Sequence, residues 1–373
     1  MSQECQVLCL SWHPKNQSHI TAGGFRRLYE IILRSPHPIV LLDRYPSLYK
    51  TIANAKLTVK EYGGSIAIPT YLQNKFPYIF PVLDRLISFF SIIILGLQLK
   101  QSTPSIIYVP FSELSHLSLA GLILKYLTGS KLVLCNLNIN IYFFDRLVNQ
   151  LTHRFADEVL TISQSLKLDL NKIGISANYV NGVGFDRPHS LTVAKKRYDC
   201  IFVGRHTSEK GFSDLIKIWS ELINRIHQPL SLVTIGDISP ILLPHILNQI
   251  SEAKLQNFIT LKGNISDQEK SVLISESRIC VFPSFFEGWG IVPMECLSQG
   301  LPVVAYDLPV YAESIGKSSA FLTLPRGDIS AFAKTIVHVS HNYVKYSRAA
   351  QKWHPRLDWA TVAKREWEIL CQN

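Results

Sequence analysis

Residues 278–307 read RICVFPSFFEGWGIVPMECLSQGLPVVAYD. An apolar run ends at Pro283, and a loop with two glycines follows it. A short apolar segment of helical character begins at Ile291, and Gly300 and Pro302 end it. A second apolar run closes the stretch. This succession of strand, loop, helix and strand is the repeating unit of a parallel α/β sheet.

The same alternation of short apolar runs and helical patterns extends along the rest of the chain. The predicted strands are Gln6–Trp12, Pro38–Arg44, Ser105–Phe111, Lys131–Leu137, Val159–Ser163, Cys200–Gly204, Leu230–Gly236, Phe258–Lys262, Arg278–Pro283 and Pro302–Tyr306. The predicted helices are Gly24–Arg34, Val82–Lys100, Glu113–Leu127, Tyr142–Phe155, Phe212–Ile226, Ser266–Ser277, Ile291–Ser298, Ile329–His341 and Asp358–Leu370. The pattern predicts an α/β protein of two facing, Rossmann-like, doubly wound domains with a cleft between them, where the carboxyl ends of the strands bind ligands.

The boundary between the two domains is predicted in residues 182–197, which read GVGFDRPHSLTVAKKR. This segment holds glycines, a proline and a basic cluster but shows no helical period. A chain of 373 residues also suits two domains better than one. We therefore predict an N-terminal domain over residues 1–185, a C-terminal domain over residues 186–354 and a closing helical segment over residues 355–373.

Composition limits the classes of function. The net charge is +10, and residues 1–190 carry 18 lysines and arginines against 11 acidic residues. A basic half suits an anionic lipid surface or a phosphorylated acceptor, but no basic tract interleaved with aromatics predicts nucleic-acid binding. The seven cysteines form no CxxC pair, so we expect reduced thiols rather than disulfides or zinc ligands. The first residues lack the pattern of a signal peptide, which predicts a cytoplasmic location.

One uncharged segment bears on membrane association. Residues 86–99 read LISFFSIIILGLQL, which is shorter than the roughly 20 residues that span a bilayer. We favour a helix packed on the sheet. The alternative is a helix lying in the cytoplasmic surface of a membrane, with Lys75, Arg85 and Lys100 at the headgroups.

Residues 200–226 read CIFVGRHTSEKGFSDLIKIWSELINRI and predict an anion site. The strand ends at Gly204, and the helical period starts at Phe212. The loop between them carries Arg205 and Lys210 beside a helix N-terminus, where free backbone N–H groups already favour an anion. A guanidinium binds two phosphate oxygens at once, and a lysine adds a mobile point charge.

Several motif classes are absent from the sequence. It contains no G-x4-G-K-[ST], no G-x-G-x-x-G after a strand, no D-x-D, no G-x-S-x-G and no H-E-x-x-H. These absences argue against a P-loop nucleotidase, a dinucleotide-dependent oxidoreductase, a serine hydrolase and a zinc protease.

Two carboxylates stand out in residues 278–307. Glu287 lies in the glycine-bearing loop, and Glu295 lies in a helix so apolar that an unpartnered carboxylate would be unusual there. Glu295 is placed to accept hydrogen bonds from vicinal hydroxyls such as those of a ribose, and Glu287 from those of a sugar ring. The paired carboxylates of a glycoside hydrolase are the competing interpretation, which the helical position of Glu295 disfavours.

Together these motifs resemble the signature of family 4, or group 1, glycosyltransferases of the GT-B fold. Glu287 and Glu295 are separated by seven residues within FFEGWGIVPMECLSQGLPVVAYDLPVYAE, residues 285–313. A GR-x4-KG element, residues 204–211, lies about 80 residues upstream, as in that family. The resemblance covers most of residues 155–370.

The resemblance implies a retaining, metal-independent glycosyltransferase without a cofactor. It would move a sugar from a UDP- or GDP-sugar, bound by the C-terminal domain, to a glycan or lipid-linked acceptor, bound by the N-terminal domain. Arg205 and Lys210 would neutralise the donor diphosphate, and Glu287 would hold the donor sugar. The other donor-binding residues that the resemblance implies are Gly23, Gly24, Gly204, Ile265, Gly288, Trp289, Gly290 and Glu295.

The acceptor side departs from the family pattern. Many members carry a histidine just after the strand that corresponds to Lys131–Leu137, whereas this sequence has Asn136 in that region. An asparagine can bond to a sugar hydroxyl but is neither an acid nor a base. Asn136 and His116 are the acceptor-side candidates. The alternative function is a non-catalytic sugar-nucleotide-binding or scaffold relative on the same fold.

Overall fold

The structure, a computed structural model, describes residues 5–13, 23–62, 79–99, 104–139, 143–185, 194–225 and 230–371. The chain folds as two compact units. The first comprises Met1–Gly184 and Leu357–Asn373, and the second comprises Phe185–Arg356. The end of the chain therefore belongs to the same unit as its beginning.

A parallel sheet forms the centre of the first unit. Its strands are β1 (Val7–Leu10), β2 (Ile39–Asp43), β3 (Leu57–Glu61), β4 (Ile106–Val109), β5 (Lys131–Asn136), β6 (Glu158–Thr161) and β7 (Tyr179–Val180). Its helices are α1 (Gly23–Leu33), α2 (Ile79–Gln98), α3 (Ser115–Thr128), α4 (Phe143–Arg154), α5 (Gln164–Lys172) and the last helix of the chain. The strand order is β3-β2-β1-β4-β5-β6-β7, and all pairings are parallel. β1, β2 and β4 are buried along their whole length, as expected of a sheet covered by helices on both faces.

A second parallel sheet forms the centre of the second unit. Its strands are β8 (Tyr198–Val203), β9 (Leu232–Ile235), β10 (Ile259–Leu261), β11 (Ser277–Phe282), β12 (Val303–Tyr306) and β13 (Phe321–Leu324). The helices are α6 (Phe212–Arg225), α7 (Leu243–Glu252), α8 (Asp267–Ser275), α9 (Ile291–Ser298), α10 (Tyr311–Ser314), α11 (Ile329–His341) and α12 (Tyr343–Gln351). The strand order is β10-β9-β8-β11-β12-β13, all parallel. The order reverses between β8 and β11, so the loops after these two strands emerge side by side, where doubly wound sheets bind their ligands.

All ten predicted strands coincide with strands of the structure, with ends shifted by a few residues. The sequence did not predict β3, β7 or β13. β3 is an edge strand whose side chains are mostly exposed, so it lacks the apolar run that identified the others. The helices α5, α7, α10 and α12 were not predicted either. Two of them, α5 and α12, have a polar mean composition, which hides their narrow apolar faces.

Helix α2 contains the uncharged segment that was predicted to be either a core helix or a membrane-surface helix. Ile92 is fully buried, as a core helix requires, but Phe90 and Ile94 are 59% and 57% exposed. One face of α2 therefore packs on the unit and another is apolar and uncovered. No described helix is both long and apolar enough to cross a membrane. Lys75 and Lys100 lie outside the described residues.

The last helix, α13 (Trp359–Leu370), docks on the first unit through a buried ion pair. The Arg27 guanidinium of α1 donates from Nη1 and Nη2 to the two oxygens of Glu366, at 3.0 and 2.6 Å. The hydroxyl of Tyr108 and the amide of Asn181 also donate to this carboxylate. Burial raises the pKa of Glu366, but the charge and hydrogen bonds of Arg27 more than offset this, and the pKa is lowered. Glu366 therefore remains a carboxylate although it is fully buried.

We predict that Glu366→Gln lowers the free energy of unfolding of the first unit by about 3–5 kcal/mol. The glutamine keeps the side-chain volume but leaves the buried Arg27 charge without a counter-ion. Glu368→Gln, two residues along the same helix, is the matched control, because Glu368 is 57% exposed and its contact with Lys364 is 3.9 Å long. Urea titrations of both variants measure the costs, and equal costs would contradict the assigned role of the ion pair.

Candidate active site

The loop after β8 carries the predicted cations. Arg205 is largely exposed and lies 3.5 Å from the carboxylate of Glu209. Residues Ser208–Lys210 form one turn of 3-10 helix, and Lys210 is mostly buried. The two cations therefore differ in exposure: Lys210 packs against the protein, and Arg205 extends into solvent.

A close backbone contact joins this loop to the one after β11. Gly211 has φ +74°, and a Cβ atom on it would lie 1.8 Å from the carbonyl oxygen of Pro283. The amide of Phe285 donates to the carbonyl of Glu209 at 2.9 Å. Only glycine fits at position 211, so the glycine of the GR-x4-KG element sets the spacing between the two loops.

This contact brings two predicted catalytic residues together. The ammonium group of Lys210 donates to Oε1 of Glu287 at 2.8 Å and to the carbonyl of Phe286 at 3.2 Å. Only 17% and 12% of the Lys210 and Glu287 side chains are exposed. The pair is thus positioned and partly desolvated, which makes its charges more effective than they would be in water.

The glycine turn after Glu287 leads directly into α9. Gly290 has φ +86° and precedes the first residue of this helix, and a Cβ atom on it would lie 2.8 Å from the ring of Tyr311. Gly288 is half-buried, and Trp289 is 6% exposed. The indole N–H of Trp289 and the hydroxyl of Tyr311 are buried and have no hydrogen-bond partner among the described residues. Burial, and then the charge of Glu287, raise the pKa of Tyr311, so its hydroxyl stays protonated.

Glu295 is held by a lysine that the sequence did not identify. Lys270 of α8 donates to Oε1 of Glu295 at 2.8 Å and lies 3.1 Å from Asp267. Burial lowers the pKa of Lys270, but the two carboxylates outweigh it and the pKa is raised. The other oxygen of Glu295, Oε2, is buried and has no partner among the described residues. It is therefore available to a hydroxyl group of a ligand.

Ile265 and Gly204 also lie at this edge of the sheet. Ile265 is half-buried in the loop between β10 and α8, next to the capping box that Ser266 and Glu269 form at the start of α8. Gly204 follows β8, and its carbonyl oxygen would lie 2.1 Å from a Cβ atom on Gly236. The loops after β8 and β9 are thus in close contact.

The remaining predicted residues belong to the first unit. Gly23 and Gly24 begin α1, and a Cβ atom on Gly24 would lie 2.9 Å from Leu137 and 3.2 Å from Phe111. Asn136 ends β5, and its Oδ1 lies 2.7 Å from Nε2 of His153. The glycines and Asn136 therefore surround the carboxyl ends of β1 and β5.

Three titratable groups of the first unit, two of them buried and one half-buried, lie near these ends. Burial lowers the pKa of His116 and of His153 to about 4, so both are neutral at pH 7. His116 lies among the buried residues of α3, and neither ring nitrogen has a hydrogen-bond partner among the described residues. Glu113, which follows β4, accepts a hydrogen bond of 3.4 Å from the amide of Leu137. Burial raises the pKa of Glu113 to about 7.

His153 and Glu113 were not predicted as functional residues. Glu113 was assigned to the start of a helix, and His153 lies in the last turn of α4, far along the chain from Asn136. Nothing in the local sequence pattern reveals that His153 packs on Asn136 or that Glu113 reaches Leu137. Their placement brings an imidazole and a carboxyl group to the strand end where a family histidine was expected.

The second unit matches a known protein family over nearly its whole length. Residues 186–353 match the family described as glycosyl transferases, group 1. The second unit is a group 1 glycosyl transferase domain. Lys210, Glu287 and Glu295 all lie within this group 1 domain.

Curated relatives of the chain include transferases that build bacterial polymers. The O-antigen chain mannosyltransferase of Salmonella typhimurium is 25% identical over 195 residues, which are 49% of this chain and 50% of that protein. The poly(glycerol-phosphate) alpha-glucosyltransferase of Bacillus subtilis is 30% identical over 129 residues, 34% of this chain and 18% of that protein. The matched regions span half or less of these relatives' own length.

Solved structures extend the likeness to the whole chain. HepE of Anabaena, in complex with UDP and glucose, has a TM-score of 0.73 at 17% identity, covering 98% of this chain and 99% of that one. Sucrose-phosphate synthase of Thermosynechococcus elongatus has a TM-score of 0.75 at 15% identity, covering 98% of each chain. With the two parallel sheets beside the group 1 domain match, these likenesses confirm the predicted α/β class with two Rossmann-like domains of the GT-B type. The cleft between the domains stays a prediction.

We predict that Gly211→Ala destabilises the group 1 domain more than Gly327→Ala does. Both glycines have positive φ, +74° and +81°, so each substitution costs about 1–2 kcal/mol in backbone strain. A Cβ atom on residue 211 would also collide with the carbonyl of Pro283, which must move. A Cβ atom on residue 327 meets no atom within 4 Å, so that substitution has no such additional cost. Chemical unfolding of the two variants measures the difference, and similar costs would show that the loop contact is not tight.

Proposed function

We propose that the chain is a retaining glycosyltransferase that moves a sugar from a UDP- or GDP-sugar to a glycan or lipid-linked acceptor without a metal ion. The observation that carries the proposal is the contact between the loops after β8 and β11, which brings Lys210 and Glu287 together as an ion pair. Positive charge, helix starts and an available carboxylate oxygen meet at one edge of the group 1 domain. The names of the relatives, which include a mannosyltransferase and a glucosyltransferase, agree with this class of reaction.

Lys210 is proposed to stabilise the departing diphosphate. An ammonium group has three donors, of which two are directed to Glu287 and Phe286. The third is free to bond to a phosphate oxygen without loss of the existing contacts. Because a fixed cation needs no reorganisation as negative charge develops, it lowers the barrier to cleavage of the bond between sugar and phosphate. Arg205, which extends into solvent, would close on the diphosphate when it binds.

The two carboxylates are proposed to bind different parts of the donor. Lys210 holds Oε1 of Glu287, which orients the other oxygen of Glu287 for a hydroxyl of the sugar. Lys270 holds Oε1 of Glu295 in the same way, and Oε2 is available to the ribose of the nucleotide. The solved complex of HepE with UDP and glucose agrees with a uridine nucleotide, but the proposal includes a GDP-sugar as well.

A sugar-nucleotide-binding protein without catalysis is the second candidate. One observation favours it: Asn136, at the position near which a family histidine was expected, is engaged by His153. A binding protein of this kind would bind the nucleotide sugar and neither transfer nor hydrolyse it. Hydrolysis of the donor in the absence of an acceptor therefore separates the two candidates.

We predict that Lys210→Ala lowers the rate of donor cleavage by about 100- to 1,000-fold, because the developing charge on the diphosphate loses its fixed cation. Glu287→Gln should also reduce turnover, since the amide no longer holds Lys210 by charge. Lys217→Ala is the matched control, because Lys217 lies on the adjoining helix α6 and is 66% exposed. The release of UDP from UDP-sugars and of GDP from GDP-sugars measures the rate.

The same variants test binding separately from catalysis. A nucleotide present at 100 times its dissociation constant should stabilise the wild-type protein by about 2.7 kcal/mol, which thermal unfolding detects. Turnover by Lys210→Ala equal to that of the wild type would refute the leaving-group role. Stabilisation by the nucleotide without any donor cleavage in the wild type would identify the binding protein instead.

We further propose that the first unit associates with the cytoplasmic face of a membrane. Val82, Leu86, Phe90 and Ile94 recur every four residues along α2, and each is at least 49% exposed. Phe143, Leu147 and Leu151 form an equivalent stripe on α4, each at least 51% exposed. The ion pair of Arg85 with Asp145, at 3.2 Å, joins the two helices. We call these two stripes the apolar ridge.

The charges beside the apolar ridge favour a lipid surface as its partner. Arg85 is 41% exposed, and Arg146 and Arg154 are exposed on α4 beside the stripe. Apolar side chains flanked by arginines suit a bilayer that contains anionic lipids, because the rings enter the acyl boundary while the guanidinium groups reach the headgroups. An enzyme bound in this way would meet a lipid-linked acceptor at the membrane surface.

We predict that Phe90→Ser combined with Phe143→Ser reduces binding to vesicles of phosphatidylglycerol and phosphatidylcholine at least tenfold. Each phenylalanine contributes about 1.5–3 kcal/mol when it is buried, so losing two is a large effect. Ile241→Ser is the control, because Ile241 is 70% exposed but lies in the second unit. Co-sedimentation measures binding, and equal binding by all variants would exclude the apolar ridge as the contact.

A further inference from the structure

Two cysteines from opposite ends of the chain meet in the first unit. Cys5 lies just before β1, and Cys371 follows the last residue of α13. Their Sγ atoms are 2.7 Å apart. His37, which precedes β2, completes the cluster: its ring nitrogen and the two sulfur atoms all lie within 4.8 Å of one another.

These two thiols differ from the other cysteines. Cys5 and Cys371 are half-buried, whereas the remaining five cysteines are buried and lie outside this cluster. The contact with Cys371 lowers the pKa of Cys5, burial opposes this, and the charge of Lys131 lowers it further. The net effect is a lowered pKa, which favours the Cys5 thiolate as the reactive form.

The distance between the sulfur atoms favours a disulfide over a metal site. Two thiolates on one tetrahedral zinc ion lie about 3.8 Å apart, given a Zn–S bond of about 2.3 Å. The thiols of Cys5 and Cys371 are already much closer than that, and a disulfide bond of about 2.05 Å needs only a small further approach. Within the part of the chain that the structure describes, the cluster also supplies three ligand atoms, whereas a structural zinc site takes four.

We propose that Cys5 and Cys371 form an oxidation site in which a low-molecular-weight disulfide such as oxidised glutathione converts the two thiols into an intramolecular disulfide. The Cys5 thiolate attacks one sulfur of the small disulfide, forms a mixed disulfide and releases one glutathione thiolate. The imidazole of His37 accepts the proton of the Cys371 thiol. The resulting Cys371 thiolate attacks Sγ of Cys5 and releases the second glutathione thiolate. Two thiols are thereby oxidised, and one small disulfide is reduced to two thiols.

The bond would fasten α13 to the start of β1. This helix carries Glu366, so the link would act on the element that supplies the buried counter-ion of Arg27. Cross-linking two positions so far apart in sequence restricts the unfolded chain strongly. The proposal does not depend on the proposed transferase activity, because its atoms and its consequence lie within the first unit.

Peptide mapping of the oxidised full-length chain tests the proposal. After incubation with oxidised glutathione and alkylation, trypsin cleaves after Lys15 and Arg365, which isolates residues 1–15 and 366–373. We expect these two peptides to be joined under non-reducing conditions. Cys9→Ala should retain the link, which assigns it to Cys5, and Cys5→Ser or Cys371→Ser should abolish it.

Thermal unfolding provides a readout that does not require the serine variants to fold normally. We expect the oxidised wild-type protein to unfold about 5–10 °C higher than the reduced protein, a shift that dithiothreitol reverses. Glutathione retained separately on Cys5 and Cys371, with no link between the peptides, would overturn the proposal. Stoichiometric zinc binding that protects both thiols from alkylation would overturn it too, in favour of a metal site.

Discussion

The first unit depends on one buried pair of charges. Arg27 is 1% exposed and Glu366 is fully buried, so neither charge has water to stabilise it. Removing an ion from water costs several kcal/mol, and only a counter-ion with well-placed hydrogen bonds compensates. Tyr108 and Asn181 add donors to the carboxylate, so α1, β4, the segment after β7 and α13 all meet at Glu366. The pair therefore specifies where the last helix binds.

Pairs of opposite charges also position the groups of the candidate site in the second unit. Each of the two predicted carboxylates is held by a lysine, Glu287 by Lys210 and Glu295 by Lys270. In both pairs one carboxylate oxygen accepts from the lysine, which fixes the direction in which the other oxygen points. A ligand thus meets oriented groups and does not have to order flexible side chains, which reduces the entropic cost of binding. For the pair of Lys210 and Glu287, Gly211 makes this possible, since it lets the loops after β8 and β11 come into contact.

Sequence was sufficient for features that are local along the chain. The buried strands, the GR-x4-KG loop and the glycine turn after Glu287 each occupy one short stretch, so their patterns were visible. Features that join distant stretches were not: Lys270 lies 25 residues from Glu295, and His153 lies 17 residues from Asn136. The contact of Cys5 with Cys371 spans 366 residues, and no spacing rule would predict it. β3 was missed for a different reason, because its exposed side chains resemble those of a loop.

The first unit is discontinuous in sequence, and this affects how the protein is made. A ribosome releases Arg27 early in translation, but the helix with Glu366 emerges only after the entire second unit has been synthesised. Until then the guanidinium of Arg27 cannot be buried with its counter-ion. The second unit, which is continuous, has all of its strands available sooner. The N-terminal domain of a nascent chain usually folds first. Here we expect the second unit to complete its fold before the first.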